Sequence, residues 1–254
     1  MIDCLSDGRV PVCRRIALVV GVGPLSGIGG ACAKKMADEG YHVVMMGRTQ
    51  ATMHATLATI EADGGSGTVI VMASIGASAG FGVATSDMAL MEDEVIQGFD
   101  VACGLGDLKF VCQNQGPNMP PPTGRDMREM SLEFITYMWE MNMGVSFVVG
   151  REAARRMTGD GGSGGTLIFT GATGAMRGKP PFIAFAQGKA GVRMLAQSMA
   201  REFAPQGLHV AHVIIDGGVG GSRLGDPNPF NKEGTDVAAA AEAGKYRHSA
   251  AVCL

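Results

Sequence analysis

Residues 16–20, I-A-L-V-V, form a short unbroken apolar run, the pattern of a strand buried on both faces. The run enters a glycine-rich stretch, G-V-G-P-L-S-G-I-G at 21–29, and 30–39 then predicts a helix closed by Gly40. V-V-M-M at 43–46 predicts a second strand, 50–62 a helix ended by G-G-S-G, and T-V-I-V-M at 68–72 a third strand. Further apolar runs at 108–112, 166–170 and 208–215 predict strands four to six. Between them lie helices at 87–98, one or two within 129–157, and a long one after residue 182. In that last helix Phe185, Val192, Leu195, Met199 and Phe203 keep helical spacing until Pro205 stops it. Strands alternating with helices at this spacing predict βαβ units, hence a single α/β domain with a doubly wound parallel sheet of the Rossmann type and helices on both faces. Residues 73–107 are the least readable part, and no clear strand is visible beyond Ser222.

Composition narrows the partners. The chain has 254 residues, a formal charge of −3 and 46 % apolar residues. It therefore has material for a large core and no basic footprint for nucleic acid. Six cysteines are scattered without a C-x-x-C pair, which is neither a zinc pattern nor a disulfide framework and fits a reduced, cytoplasmic setting with no metal. No run reaches the roughly 18 apolar residues of a membrane span. Arg14-Arg15 followed by an apolar, small-residue stretch resembles an export signal, but repeated glycines and Pro24 break it.

The glycine turn follows a buried strand and opens a helix, the context in which such a motif binds a dinucleotide. Glycines let the backbone approach a pyrophosphate, and the helix N-terminus offers amide donors. An ordinary tight turn is the plainer alternative. Sites of this kind often carry an acid about 20 residues on for the adenosine ribose. Gly47-Arg48-Thr49 stands there instead. A glycine leaves room for a 2′-phosphate and Arg48 has the charge to pair with it, which favours NADP over NAD; the alternative is a solvated cation stacking on adenine.

With these residues in hand, the chain resembles the short-chain dehydrogenase/reductase family from about Arg14 to Ser222. Gly23, Gly27 and Gly29 reproduce the spacing of the family's T-G-x-x-x-G-x-G, with Val22 where threonine is usual; starting from Gly21 gives a loop two residues longer. C-Q-N-Q-G at 112–116 is similar to the family's N-N-A-G, M-N-M-G at 141–144 matches its helix asparagine, and F-A-Q-G-K at 185–189 aligns with Y-x-x-x-K. D-G-G-V at 216–219 stands where P-G-x-V is usual. The resemblance implies cofactor contacts at Gly21, Gly23, Gly27, Ile28, Gly29, Arg48, Asn114, Gly116, Lys189 and Gly217. It also implies a catalytic group at Asn142, Phe185 and Lys189. The lysine of the family holds the nicotinamide ribose and lowers the pKa of a tyrosine one helical turn before it. Here that tyrosine is Phe185, and the serine thirteen residues earlier is Ala172. Thr173, beside Ala172, is the candidate replacement hydroxyl, with Asp216 at the end of the sixth strand a further polar group. Ser74 stands where an aspartate usually touches adenine.

These readings give three segments: an extension at 1–13, a dinucleotide-binding domain at 14–222 and a loose tail at 223–254. The leading expectation is an atypical oxidoreductase that moves hydride between NADP, or NAD, and a carbonyl, an alcohol or a related polarised double bond of a small molecule. The rival is a non-catalytic nucleotide-binding or scaffold protein on the same fold. Family members commonly pair through the two helices at 129–157 and 182–204, and the surplus of Met, Trp139 and Phe there implies a homodimer or homotetramer without nucleic-acid or membrane partners.

Overall fold

The structure is a computed structural model that describes residues 14–74, 87–117, 126–159, 161–180, 182–216, 219 and 251–253. Six parallel strands form its centre: β1 (Arg15–Val20), β2 (His42–Gly47), β3 (Ser66–Val71), β4 (Asp107–Gln113), β5 (Gly165–Ala172) and β6 (Leu208–Ile215). The order is β3-β2-β1-β4-β5-β6, so the winding reverses between β1 and β4. A three-residue strand, β7 (Ala251–Cys253), pairs antiparallel with the free edge of β6. The sequence reading has no strand in the tail, because A-V-C is too short to show a period.

Among the described residues six α-helices cover the two faces: α1 (Ile28–Asp38), α2 (Gln50–Ala62), α3 (Met88–Leu105), α4 (Leu132–Trp139), α5 (Val145–Met157) and α6 (Ile183–Phe203). Alternate residues of β1 divide between two cores. Ile16, Leu18 and Val20 pack with the α3, α5 and α6 side, whereas Ala17 and Val19 pack with the α1 and α2 side. This is the two-sided burial that makes a parallel strand read as continuously apolar.

Helix α3 runs past the expected end at residue 98. Gly98 does not stop it, since a side chain there would meet Met46 Sδ at 2.2 Å; the glycine lets α3 lie close on β2. Between α4 and α5 the chain makes a π-helical turn at Glu140–Gly144 instead of continuing one helix. Among the described residues no helix is long and apolar enough to cross a membrane.

Candidate functional site

The crevice at the reversal of winding lies between the ends of β1 and β4, where doubly wound sheets bind ligands. Gly21, at φ +100°, begins the turn after β1; a Cβ there would sit 2.4 Å from the Gln115 backbone nitrogen. The Asn114 side-chain amide donates to the Gly21 carbonyl at 2.8 Å, tying β4 to the turn. Asn114 thus acts through the turn, as its brace. Gly29 must lack a side chain because the Gly21 carbonyl oxygen is 2.2 Å from its Cβ position. At Gly23 nothing among the described residues lies within 4 Å of that position, so the turn has an open side. Gly27 caps α1 without a side-chain hydrogen bond, and no acid occupies the first turn that Ile28 opens. The α1 amides and the open side at Gly23 fit a pyrophosphate. Gly217 lies outside the described residues.

Gly47 has a different reason from the one read in the sequence. A Cβ there would meet the Val22 carbonyl oxygen at 2.7 Å and Met53 Sδ at 3.0 Å. The glycine lets the turn pass over the end of β2; it does not open space for a phosphate. The expectation of NADP over NAD is then left to Arg48 and the missing acid.

The second cluster lies at the ends of β4 and β5. Asn142 sits in the middle of the π-helical turn, a feature common at functional sites. Its side-chain nitrogen donates to the Met138 carbonyl at 2.8 Å, and the Ser146 hydroxyl donates to its backbone carbonyl at 2.6 Å. Gly188 of α6 makes room for it, since a Cβ there would lie 2.7 Å from Asn142 Cβ. Lys189, the next residue, is 6 % exposed and donates from Nζ to the Thr170 carbonyl at 2.9 Å. A Cβ at Gly116 would be 3.6 Å from Asn142 Oδ1 and 3.8 Å from Lys189 Nζ. The fold thus gathers Gly116, Asn142 and Lys189 from three separate elements. Asn142 Oδ1 is buried and has no hydrogen-bond partner among the described residues. A buried acceptor without a partner among the described residues, near an ammonium group, fits the hydroxyl-bearing half of a dinucleotide.

Phe185 and Ala172 stand at the positions aligned with the family's tyrosine and serine. The Phe185 ring centroid lies 5.8 Å from Lys189 Nζ, and Ala172 ends β5 without a hydroxyl. The Thr173 hydroxyl donates to the Asp216 carboxylate, which ties the ends of β5 and β6 together. A hydroxyl has one proton, and this one is committed.

Four contributors escape the sequence reading. Ser146 and Gly188 shape the seat of Asn142. Glu94 is a lone acid on the apolar face of α3 formed by Met91, Val95 and Phe99, a signal of the same kind as lone Lys189 on α6. His212 of β6 is buried against Gly171, whose Cβ position lies 2.2 Å from its ring. Burial first, and then the cations Lys189 and Arg193, push its imidazole down to about 4.

Comparison with known proteins agrees with this geometry. A family model described as short chain dehydrogenase matches residues 15–220. A short-chain dehydrogenase/reductase of Armillaria gallica is 30 % identical over 199 residues, 77 % of this chain and 68 % of that protein. An oxidoreductase of Sarocladium schorii is 28 % identical over 189 residues, 74 % of this chain and 66 % of that one. The chain thus spans about two thirds of the length of these relatives. The crystal structure of a short-chain dehydrogenase from Rhodopseudomonas palustris superposes with a TM-score of 0.66 at 32 % identity, covering 91 % of this chain and 90 % of that one. A glycine turn braced at the reversal of winding, an asparagine in a π-helical turn and a buried lysine on the following long helix make the same statement as these matches: the chain belongs to the short-chain dehydrogenase/reductase family.

Proposed function

We propose that the chain is an NAD(P)-dependent oxidoreductase, with NADP preferred, whose site keeps the binding half of the family's machinery and has lost its phenol and serine. The observation that carries this reading is the convergence of Gly116, Asn142 and Lys189 beside an orphaned Asn142 Oδ1. Gly21, Gly23, Gly27 and Gly29 with the α1 amides hold the pyrophosphate, Arg48 the 2′-phosphate, and Lys189 and Asn142 the hydroxyls of the nicotinamide ribose. A nicotinamide dinucleotide bound in the crevice supplies or accepts hydride.

The protein's own part in the chemistry is then positioning and electrostatics. The Lys189 ammonium stabilises negative charge developing near it, and the Phe185 ring covers one side of it. No phenol stands ready to protonate an alkoxide, a loss of roughly 10²–10⁴-fold for a ketone or aldehyde. Substrates that need little acid help suit such a site best. An iminium ion already carries its positive charge, and an activated C=C bond can take its proton from water.

A second reading, a nucleotide-binding protein without catalysis, is favoured by one specific observation: Phe185 and Ala172 lack hydroxyls while that of Thr173 is spent on Asp216. Titration with NADPH and NADH, followed by single-turnover assays on ketones, aldehydes and cyclic iminium ions, separates the two. Saturable binding that Lys189→Ala weakens, with turnover on at least one class, is expected. Binding without turnover on any class favours the second reading, and no binding overturns both.

For assembly we propose a homodimer or homotetramer. Trp139, Phe147 and Met194 are half exposed on α4, α5 and α6, the helices through which the family pairs. A cytoplasmic location rests on the scattered cysteines, of which Cys32, Cys103 and Cys112 are free thiols.

A further inference from the structure

Cys32 of α1 and Cys112 of β4 meet beneath the glycine turn, and hydride transfer has no use for either thiol. Cys112 is buried in the core on the α1 and α2 side, and Cys32, partly buried, packs against the same core. The way the helix lies on the strand brings them together. Gly29 sits over Asn114, whose side-chain nitrogen is 2.9 Å from the Cβ position of the glycine. Cys32 follows nearly one helical turn later, and Cys112 stands two residues before Asn114 on the same face of β4. The buried residues of α1 are Gly29, Gly30, Ala33 and Ala37, small enough for the helix to lie close on the sheet. The Cys112 thiol donates to the Cys32 sulfur, and the Thr170 hydroxyl donates to Cys112 Sγ. The Thr170 carbonyl in turn holds Lys189 Nζ at 2.9 Å.

The two thiols are unequal. The hydrogen bond from Cys112 holds the Cys32 thiol below its ordinary range, against the opposing effect of burial. The same bond, and then burial, push the Cys112 thiol well above it. Cys32 is therefore the first to ionise and the more exposed of the two, and Cys112 keeps its proton.

We infer that Cys32 and Cys112 are a redox-sensitive pair that a hydroperoxide converts to a disulfide, and that this disulfide weakens dinucleotide binding at the turn above it. The Cys32 thiolate attacks one peroxide oxygen. An S–O bond forms, the O–O bond breaks, and the other oxygen leaves with a proton as water or an alcohol. The Cys112 sulfur then attacks the sulfenic sulfur of Cys32. The S–S bond forms, the S–O bond breaks, and the hydroxyl leaves as water with the Cys112 proton. The two thiols together lose two electrons, and the peroxide gains them.

The effect on binding follows from the packing. A disulfide brings its sulfurs to about 2 Å and needs Cα atoms within about 7 Å, so oxidation draws α1 onto β4. The first turn of α1 has little room to follow. The Gly21 carbonyl oxygen already lies 2.2 Å from the Cβ position of Gly29, and the Pro24 carbonyl oxygen 2.3 Å from that of Gly30. The glycine turn must shift, and with it the amides proposed to hold the pyrophosphate. This consequence rests on the proposed nucleotide binding; the disulfide itself does not.

The test treats the unmodified protein with hydrogen peroxide, alkylates the remaining thiols and weighs the peptides of a non-reducing digest by mass spectrometry. A linked Cys32–Cys112 peptide is expected, lost on adding dithiothreitol and missing from Cys32→Ser. Absence of that peptide after peroxide, with exposed Cys103 oxidised instead, overturns the inference. Calorimetric titration with NADPH should then find the oxidised protein binding roughly 5-fold or more weakly than the reduced one, the scale of coupling between two sites. Dithiothreitol should restore the affinity, and Cys32→Ser should bind alike before and after peroxide. Equal affinity in the two redox states overturns the coupling. Failure of the reduced protein to bind NADPH overturns the nucleotide reading, and the coupling with it, while the linked peptide still decides the disulfide.

Discussion

Lys189 and Phe185 stand one turn apart on α6, with the ammonium 5.8 Å from the centroid of the ring. The ammonium is buried and held on the Thr170 carbonyl, so its position does not depend on a phenol partner. That separation of duties underlies the account. In the proposed reading, binding geometry survives in the fold and the family's proton-transfer groups do not.

With no acid beside it, Arg48 is the residue on which the NADP proposal can be tested. Arg48→Ala should weaken NADPH by about 10-fold or more, the scale of a charge-assisted hydrogen bond, and NADH by much less. Calorimetry with both nucleotides checks it; equal losses contradict the assignment.

Gly188 matters for Asn142 rather than for α6. A methyl group at this position would lie 2.7 Å from Asn142 Cβ. Gly188→Ala should cost about 1–3 kcal/mol through overpacking, read from urea unfolding, and should weaken nucleotide binding as Asn142 shifts. A variant with unchanged stability and affinity would mean that the two elements are not in close contact.

His212 should make the fold acid-sensitive. Its imidazole lies at about 4 in the fold, against 6.5 ordinarily, through burial and the cations Lys189 and Arg193. Above pH 6.5 it is neutral folded and unfolded. Between 6.5 and 4 the unfolded chain takes up a proton that the folded chain refuses, so stability falls as pH drops, by at most about 3 kcal/mol from this group. Urea unfolding of His212→Gln across that range should show a shallower loss than the unmodified protein; identical slopes contradict the claim.

Assembly is checked by sedimentation. A dimer or tetramer is expected at micromolar concentration, and replacing exposed Trp139 and Phe147 by polar residues should favour the monomer. A monomeric unmodified protein contradicts the proposal.

The sheet was legible because a strand buried on both faces leaves a continuous apolar run, as at 16–20, and because Gly40 and Pro205 punctuate the helices. Lys189 stood out as a lone charge among small apolar residues. The partners that tune the site were hidden because they act across space. Nothing near Glu94 in the sequence points to Ala73 and Ser74, and nothing beside Gly47 announces the Val22 carbonyl. The π-helical turn at Asn142 was invisible because its residues keep an ordinary helical composition. Thr173 looked available as a hydroxyl until the fold brought Asp216 to it.

The central claim is that the site lacks acid help and little else. Its most direct test is the rate of ketone and aldehyde reduction with NADPH by the Phe185→Tyr, Ala172→Ser double variant against the unmodified protein. Lys189 should favour phenolate at the new tyrosine, because a nearby cation stabilises the anion. The account predicts a rise of about 10²-fold or more in rate, with nucleotide affinity little changed. An unmodified protein that already reduces carbonyls efficiently, and loses rate on Phe185→Tyr, would show that another group carries the proton and would contradict the account.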